Sequence, residues 1–170
     1  MKIFIFGIVA SGKTTLAKSI SQEYNIPYYE GDCIAWAVSE GRRYKRSDIE
    51  QKQEIDRINS QGKWIIEGKY RESQRSLFDM ADKIIFLDTP LWIREVRIIT
   101  RFIRQKLGIE KCHYISNIKM LKLMFKWTKD FERDRNKYET ILNSYQDKLV
   151  IIKSPKELKK WVVVPKGMAI

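Results

Sequence analysis

The sequence predicts an α/β fold in which a parallel sheet of five strands is covered by helices on both faces. Five short apolar runs alternate with segments of helical periodicity along the 170 residues. The first run leads through a glycine-rich loop into a helix, and acidic side chains follow the second and third runs. Strands separated by helices run parallel, because each helix returns the chain to the starting edge of the sheet. We therefore expect three layers, helix, sheet and helix, in a single domain spanning residues 1–170.

The loop after the first strand has the sequence GIVASGKT at residues 7–14, which matches the phosphate-binding pattern G-x-x-x-x-G-K-[ST]. Gly7 and Gly12 allow the backbone N–H groups to surround a polyphosphate at the start of a helix. Lys13 is expected to reach the β- and γ-phosphates, and Thr14 to offer its hydroxyl to Mg²⁺. The alternative is a glycine-rich turn with a solvated lysine, but the strand and helix around the loop favour nucleotide binding. The predicted cofactors are ATP and Mg²⁺, and the predicted nucleotide contacts are Gly7, Ser11, Gly12, Lys13, Thr14 and Thr15.

The second strand, near residues 25–29, ends at an acidic residue, Asp32. In an open α/β sheet the ligand lies outside the carboxyl ends of the strands, so Asp32 is expected on the same side as the phosphate-binding loop. That position suits a catalytic base. Asp32 also suits the N-cap of a helix that starts at Cys33, and the two roles are compatible.

A basic connector at residues 39–46 follows, which we interpret as a mobile loop that is either simply solvated or in contact with an anionic acceptor. Ser47 and Glu50 form a capping-box pattern that predicts the start of a helix, and Gly62 has the position of a C-terminal glycine. The third strand, residues 63–66, ends at Glu67.

Two charged residues after the third strand are candidate ligand contacts. Glu67 can hold a Mg²⁺-bound water, and Arg71 can bind a phosphate or carboxylate through its guanidinium. A helix is predicted over residues 72–80 and a fourth strand over residues 83–87.

The helix after the fourth strand carries a row of arginines at steps of three or four residues, which places them on one face. A solvated basic face is one interpretation of this row. The phosphate-binding loop favours the other, that the row faces an anionic ligand. Its members are Arg94, Arg97, Arg101 and Arg104.

Most of the positive charge lies in one part of the chain. The net charge is +12, and residues 91–135 contain 12 basic and 5 acidic side chains, a net charge of +7. Within it, residues 105–133 combine apolar positions at helical spacing with lysines. We predict a basic helical insert, which either closes over the site as a lid or forms a surface for nucleic acid or another partner. A helix over residues 134–146, a fifth strand over 149–152 and a last helix from Ser154 complete the prediction.

Other classes of protein are disfavoured. Cys33 and Cys112 lack the spacing of a metal site and are too few for a disulfide framework, and His113 has only Cys112 as a ligand-like neighbour. The longest uncharged apolar run near the N-terminus, residues 3–10, is too short to cross a bilayer. We therefore expect a soluble, cytoplasmic protein with no membrane partner, whose oligomeric state the sequence leaves open.

Across essentially its whole length the chain resembles the adenylate-kinase-like P-loop kinases. It is most similar to the putative kinases labelled DNA topology modulation proteins, in GDCIAW at residues 31–36, WIIEGKY at residues 64–70 and FLDTP at residues 86–90. The resemblance implies a sheet order of 2-3-1-4-5 and an arginine-bearing lid. It also implies a place for Trp36 in the acceptor site.

The resemblance assigns further roles residue by residue. Residues 67–71 match the stretch after strand three in which nucleoside monophosphate kinases hold the magnesium hydration shell and the acceptor phosphate, with Glu67 in place of aspartate and Tyr70 in place of proline. Arg97 and Arg101 fall seven and eleven residues after Pro90, as the lid arginines of those kinases do.

The function predicted is ATP- and Mg²⁺-dependent phosphoryl transfer to a small molecule. The acceptor classes considered are hydroxyl-bearing metabolites, nucleosides and nucleotides, and a base at Asp32 favours a hydroxyl. The alternatives are a nucleic-acid-binding protein regulated by nucleotide, which would affect DNA topology, and a stand-alone ATPase switch. Predicted catalytic residues are Lys13, Asp32, Arg97 and Arg101. Predicted metal contacts are Thr14 and Glu67, and predicted acceptor contacts are Asp32, Trp36 and Arg71.

Overall fold

The computed structural model describes residues 1–110, 116–154 and 156–157, and in them a five-stranded parallel sheet. Its strands are β1 (Lys2–Gly7), β2 (Tyr28–Glu30), β5 (Trp64–Gly68), β6 (Lys83–Leu87) and β7 (Leu149–Ile152). A separate hairpin consists of β3 (Trp36–Ser39) and β4 (Arg42–Lys45). The sheet order is β2-β5-β1-β6-β7. Counted among the five sheet strands alone this order is 2-3-1-4-5, as the resemblance implies, and the labels differ only because the hairpin lies between β2 and β5.

Helices cover both faces of the sheet, which confirms the predicted three-layer fold. They are α1 (Lys13–Tyr24), α2 (Gly31–Ala35), α3 (Asp48–Asn59), α4 (Ser76–Met80), α5 (Leu91–Lys106), α6 (Ile118–Arg133) and α7 (Arg135–Asn143). Alternate residues of β1 point to opposite faces. Ile3 and Ile5 pack with α1, whereas Phe4 and Phe6 pack in a second core with α3, α4, α6 and α7.

The predicted mobile connector is wrong, because residues 36–45 form the antiparallel hairpin. Glu40 and Gly41 make its turn, with φ of 51° and 75°, the left-handed values that suit a two-residue hairpin. Arg46 ties the hairpin to α2 through a 2.9 Å hydrogen bond from its N–H to the carbonyl oxygen of Ala35. Seven of the eight strand residues are exposed, so no alternation of buried and exposed positions marks the strands in the sequence.

Other predicted boundaries change less. The capping box at Ser47 and Glu50 is confirmed. The helix predicted over residues 72–80 is a 3₁₀ turn (Glu72–Gln74) followed by α4, and the helix predicted over 134–146 ends at Asn143, before a second 3₁₀ turn at Gln146–Lys148.

Of the predicted insert at residues 105–133, the structure describes 105–110 and 116–133, which contain the end of α5 and the helix α6. Cys112 and His113 lie outside the described residues, as does most of the predicted last helix. Ser154 nevertheless accepts a 3.1 Å hydrogen bond from the N–H of Glu157, as an N-cap does. In the described part of the chain, every helix is too short or too polar to cross a membrane.

Candidate nucleotide and acceptor site

The phosphate-binding loop connects β1 to α1 and approaches its surroundings closely. A Cβ atom added to Gly7 would lie 2.8 Å from the Ser11 Oγ and 3.1 Å from the carbonyl oxygen of Leu87, so only glycine fits there. Gly12 has a φ of 107°, which strains any side chain, and Ala10 also has a positive φ of 61°. The Ser11 hydroxyl is buried and has no hydrogen-bond partner among the described residues. A tight glycine-containing loop at the start of a helix, with an unsatisfied buried hydroxyl, fits a polyphosphate.

Lys13 lies at the centre of the candidate site. Its Nζ donates a 2.8 Å hydrogen bond to the carbonyl oxygen of Ile8. Burial lowers the pKa of the Lys13 ammonium, the nearby carboxylates of Glu67 and Asp32 oppose that shift, and Arg101 and Arg71 add to it. Four charged residues from three segments of the chain therefore act on this one ammonium.

Thr14 and Glu67 form the second part of the site. The Thr14 hydroxyl donates a 2.8 Å hydrogen bond to the Glu67 Oε1, and Glu67 is paired in register with Ile5 of the central strand. Glu67 is buried, and this burial raises the pKa of its carboxyl, against the opposing effects of Lys13 and Thr14. A hydroxyl and a carboxylate beside a phosphate loop supply the oxygen ligands that Mg²⁺ prefers, so these residues fit the cation that a nucleotide would bring.

Asp32 and Arg71 form an ion pair, and both are among the charges that act on Lys13. The Asp32 side chain is 65% exposed and the Arg71 side chain 13% exposed. The carboxylate therefore faces solvent, whereas the guanidinium is mostly buried. The capping role suggested for Asp32 is wrong. Helix α2 starts at Gly31, Glu30 occupies the N-cap position, and Asp32 lies in the first turn.

Two further predicted contacts are Trp36 and Thr15. Trp36 begins β3 and is 38% exposed, with the Arg43 guanidinium carbon 5.0 Å from its ring centroid. Thr15 is exposed in the first turn of α1.

The four arginines of α5 have different environments, although their spacing predicts one face. Arg97 donates from its Nη1 to the carbonyl oxygens of Ala10 and Ser11, each at 3.0 Å, and so contacts the phosphate-binding loop itself. Arg101 and Arg104 each lie near Glu110, at 3.3 and 3.9 Å. The expectation that Arg94 faces a ligand is wrong.

Arg94 is buried between helices. Only 1% of its side chain is exposed, and it pairs with Glu132 of α6. Its Nε also donates a 2.9 Å hydrogen bond to the carbonyl oxygen of Thr89. Glu132 and Phe131 of α6 both contact Arg94, whereas the Arg104 side chain is 56% exposed.

Solved structures resemble this arrangement of strands and helices, whereas no protein-family model and no curated protein matches the sequence. A gluconokinase from Sinorhizobium meliloti 1021 superposes with a TM-score of 0.52 at 16% identity, over 95% of this chain and 86% of that one. A shikimate kinase from Acinetobacter baumannii in complex with shikimate gives 0.51 at 9% identity, over 94% and 88%. An uncharacterized protein from Eubacterium ventriosum gives 0.52 at 18% identity, over 90% and 88%. The chain has a P-loop kinase-like fold. Similarity at such low identity extends to the fold alone.

Several residues that support the site in this kinase-like fold were not predicted. The Thr89 hydroxyl donates a 2.9 Å hydrogen bond to the carbonyl oxygen of Ser11 in the loop. Gln74 donates from its Nε2 to the carbonyl oxygen of Gly31 at 3.0 Å and to the Oε1 of Gln51 at 3.2 Å. The sequence signal for Thr89 is its place directly after a strand-end aspartate. Nothing in the sequence distinguishes the two buried glutamines from solvated ones.

Proposed function

We propose that the protein transfers the γ-phosphoryl group of Mg²⁺-ATP to the hydroxyl of a small molecule. One observation carries this proposal: the Lys13 ammonium lies among the charges of a metal-side residue, Glu67, and of an acceptor-side pair, Asp32 and Arg71. A donor, a cation and an acceptor would therefore meet within one site. Phosphoryl transfer depends mainly on such positioning and on neutralisation of charge.

Each residue of the candidate site has a separate role in this reaction. The loop amides and Lys13 bind the β- and γ-phosphates, while Thr14 and Glu67 hold the cation, which supplies charge neutralisation to the phosphates. The Asp32 oxygen that is not paired with Arg71 accepts the proton of the acceptor hydroxyl. The hydroxyl oxygen forms a bond to the γ-phosphorus as the bond from that phosphorus to the bridging oxygen of ADP breaks. Arg97 and Arg101 stabilise the charge that develops on the transferred group.

An ADP-release assay with a panel of sugars, hydroxy acids, nucleosides and nucleotides tests the proposal. Replacement of a general base lowers the rate by about 10²–10⁴. Asp32→Asn should therefore reduce transfer to the preferred acceptor by that amount, while calorimetry shows Mg²⁺-nucleotide binding unchanged. Lys13→Ala should abolish the binding heat. Full activity of Asp32→Asn would show that Asp32 is not the general base. Nucleotide binding that survives Lys13→Ala would show that the nucleotide does not bind at the loop containing Lys13.

A second candidate function is nucleic-acid binding, which the resemblance to the DNA topology modulation proteins also suggests. Four lysines of α6 are exposed, and none of them is in an ion pair among the described residues. They are Lys119, Lys122, Lys126 and Lys129. Binding through several phosphates should weaken by orders of magnitude between about 50 and 200 mM salt. Substitution of three of these lysines by glutamine should then abolish DNA binding and leave phosphoryl transfer intact.

A further inference from the structure

The start of α2 and the end of β5 approach each other closely at two glycines, Gly31 and Gly68. A Cβ atom added to Gly31 would lie 3.1 Å from the carbonyl oxygen of Glu67 and 3.5 Å from the Cα of Gly68. Asp32 and Lys69 come directly after these glycines, and Asp32 is among the charges that act on the Lys69 ammonium. The acceptor side of the site therefore includes Lys69, a residue that no motif singles out.

Lys69 is a cation without a carboxylate partner among the described residues. Its Nζ lies 5.1 Å from the ring centroid of Trp127 on α6, and the residue remains exposed. Partial burial of the ammonium lowers its pKa, Arg71 and Lys45 lower it further, and Asp32 opposes them. The Asp32 carboxylate that acts on Lys69 is paired with Arg71, so it compensates the charge of Lys69 only in part.

The hairpin adds two more cations on one of its faces. Lys45 is opposite Trp36 in the β3–β4 register, and Arg43, two residues before Lys45, points to the same side of the hairpin. The Arg43 guanidinium lies over the Trp36 ring. In the described part of the chain, Arg43 and Lys45 have no ion-pair partner. A patch of unpaired positive charge thus borders the exposed carboxylate of Asp32.

We propose that the acceptor carries a carboxylate or phosphate group besides its reactive hydroxyl, and that Lys69 and Lys45 bind this anionic group. This inference rests on the proposed function. An anionic acceptor must approach Asp32 and the ATP phosphates, which repel it, so a site for it needs cations that those groups do not already neutralise. Lys69, Lys45 and Arg43 supply them. A neutral acceptor would leave all three without a counter-charge.

Matched pairs of compounds test the inference. The carboxylate arm compares gluconate with glucose and glycerate with glycerol, and the phosphate arm compares uridine monophosphate with uridine. Binding is followed through tryptophan fluorescence, because Trp36 and Trp127 border the patch, and transfer through ADP release. The variants are Lys69→Gln, Lys69→Arg and Lys63→Gln, the last an exposed lysine at the opposite end of β5.

The anionic member of at least one pair should bind more tightly than the neutral member. Lys69→Gln should raise the KM for the anionic acceptor by about tenfold, the loss expected for one charge-assisted contact, with a smaller effect on kcat. Lys69→Arg should restore most of the affinity, and Lys63→Gln should behave as the unmodified protein does.

Equal binding of charged and neutral members, or equal KM values in Lys69→Gln and Lys63→Gln, would overturn the inference and leave phosphoryl transfer standing. Conversely, Lys69-dependent binding of an anionic compound without any ADP release would support the anion site and refute the transferase proposal.

Discussion

The hydroxyl of Thr89 donates a 2.9 Å hydrogen bond to the carbonyl oxygen of Ser11, across 78 positions of sequence. Both residues are buried, so this bond fixes the phosphate-binding loop to the segment between β6 and α5. Thr89→Val keeps the branched shape but removes the donor. The free energy of unfolding should fall by about 1 kcal/mol, the net value of one hydrogen bond. Mg²⁺-nucleotide affinity should fall as the loop loses its support.

Denaturant unfolding and calorimetry measure the two effects of Thr89→Val. Thr100→Val is the matched control, because its exposed hydroxyl donates only to the carbonyl oxygen of Val96 in the same helix. A loss of stability in Thr89→Val without any loss of affinity would show that the bond stabilises the fold but does not position the loop.

Arg101 and Arg104 provide a matched pair for testing the arginine-bearing helix. Both lie near Glu110, yet of these two only Arg101 is among the charges that act on Lys13. Arg101→Gln should lower the rate of phosphoryl transfer by about 10²–10³, as removal of a charge-stabilising group at the reacting centre does. Arg104→Gln should change it little.

Steady-state kinetics with saturating acceptor separate the two arginine variants, and thermal unfolding checks that both fold equally well. Similar losses of rate in the two variants would mean that the positive field of the helix, and not one positioned guanidinium, accelerates transfer.

The sequence predicts the strands and the loop well, because both depend on local patterns. A buried parallel strand needs a continuous apolar run, and the phosphate loop needs glycines at fixed spacing, so both are visible without tertiary information. Glu67 and Asp32 were recognised as candidates because each follows a strand, and strand ends in a parallel sheet share one edge.

Interactions that depend on packing could not be predicted in the same way. Arg94 and Arg104 share a helix face and a residue type, but Arg94 is buried beside Glu132 of α6, whereas the Arg104 side chain is 56% exposed. The sequence does not reveal the hairpin, because its strands are exposed on both faces and bury no apolar stripe. Lys69 is placed beside Asp32 by the contact between Gly31 and Gly68, which the sequence does not reveal.

The raised pKa of Glu67 predicts an acid limb in nucleotide binding. Burial raises the pKa of this carboxyl above its usual 4.5, and only the carboxylate form can hold a cation. Mg²⁺-nucleotide affinity should therefore decrease as the pH falls through a pKa above 4.5. The sign for folding is opposite: the contribution of Glu67 to stability is fully present below pH 4.5 and is lost as the pH rises through the folded-state pKa.

Calorimetric titrations with a non-hydrolysable Mg²⁺-ATP analogue between pH 8 and pH 5 measure this limb. Glu67→Gln should bind weakly at every pH and show no acid limb. A limb that persists unchanged in Glu67→Gln would assign the titration to a different group.

The ion pair between the buried Arg94 and the partly exposed Glu132 predicts a large loss of stability on replacement of Glu132. Glu132→Ala leaves the Arg94 guanidinium buried without its carboxylate, which should cost about 3 kcal/mol in the free energy of unfolding. Arg133→Ala is the control, because Arg133 pairs with Asp130 and Asp134 at the exposed surface and should contribute little.

Denaturant unfolding of both variants at equal pH and salt measures the difference between Glu132→Ala and Arg133→Ala. Since the Arg94 Nε also holds the carbonyl oxygen of Thr89, whose hydroxyl holds the loop, Glu132→Ala should in addition weaken nucleotide binding. Equal losses in the two variants would show that Arg94 is solvated in solution, and the connection from α6 through Thr89 to the phosphate-binding loop would then be refuted.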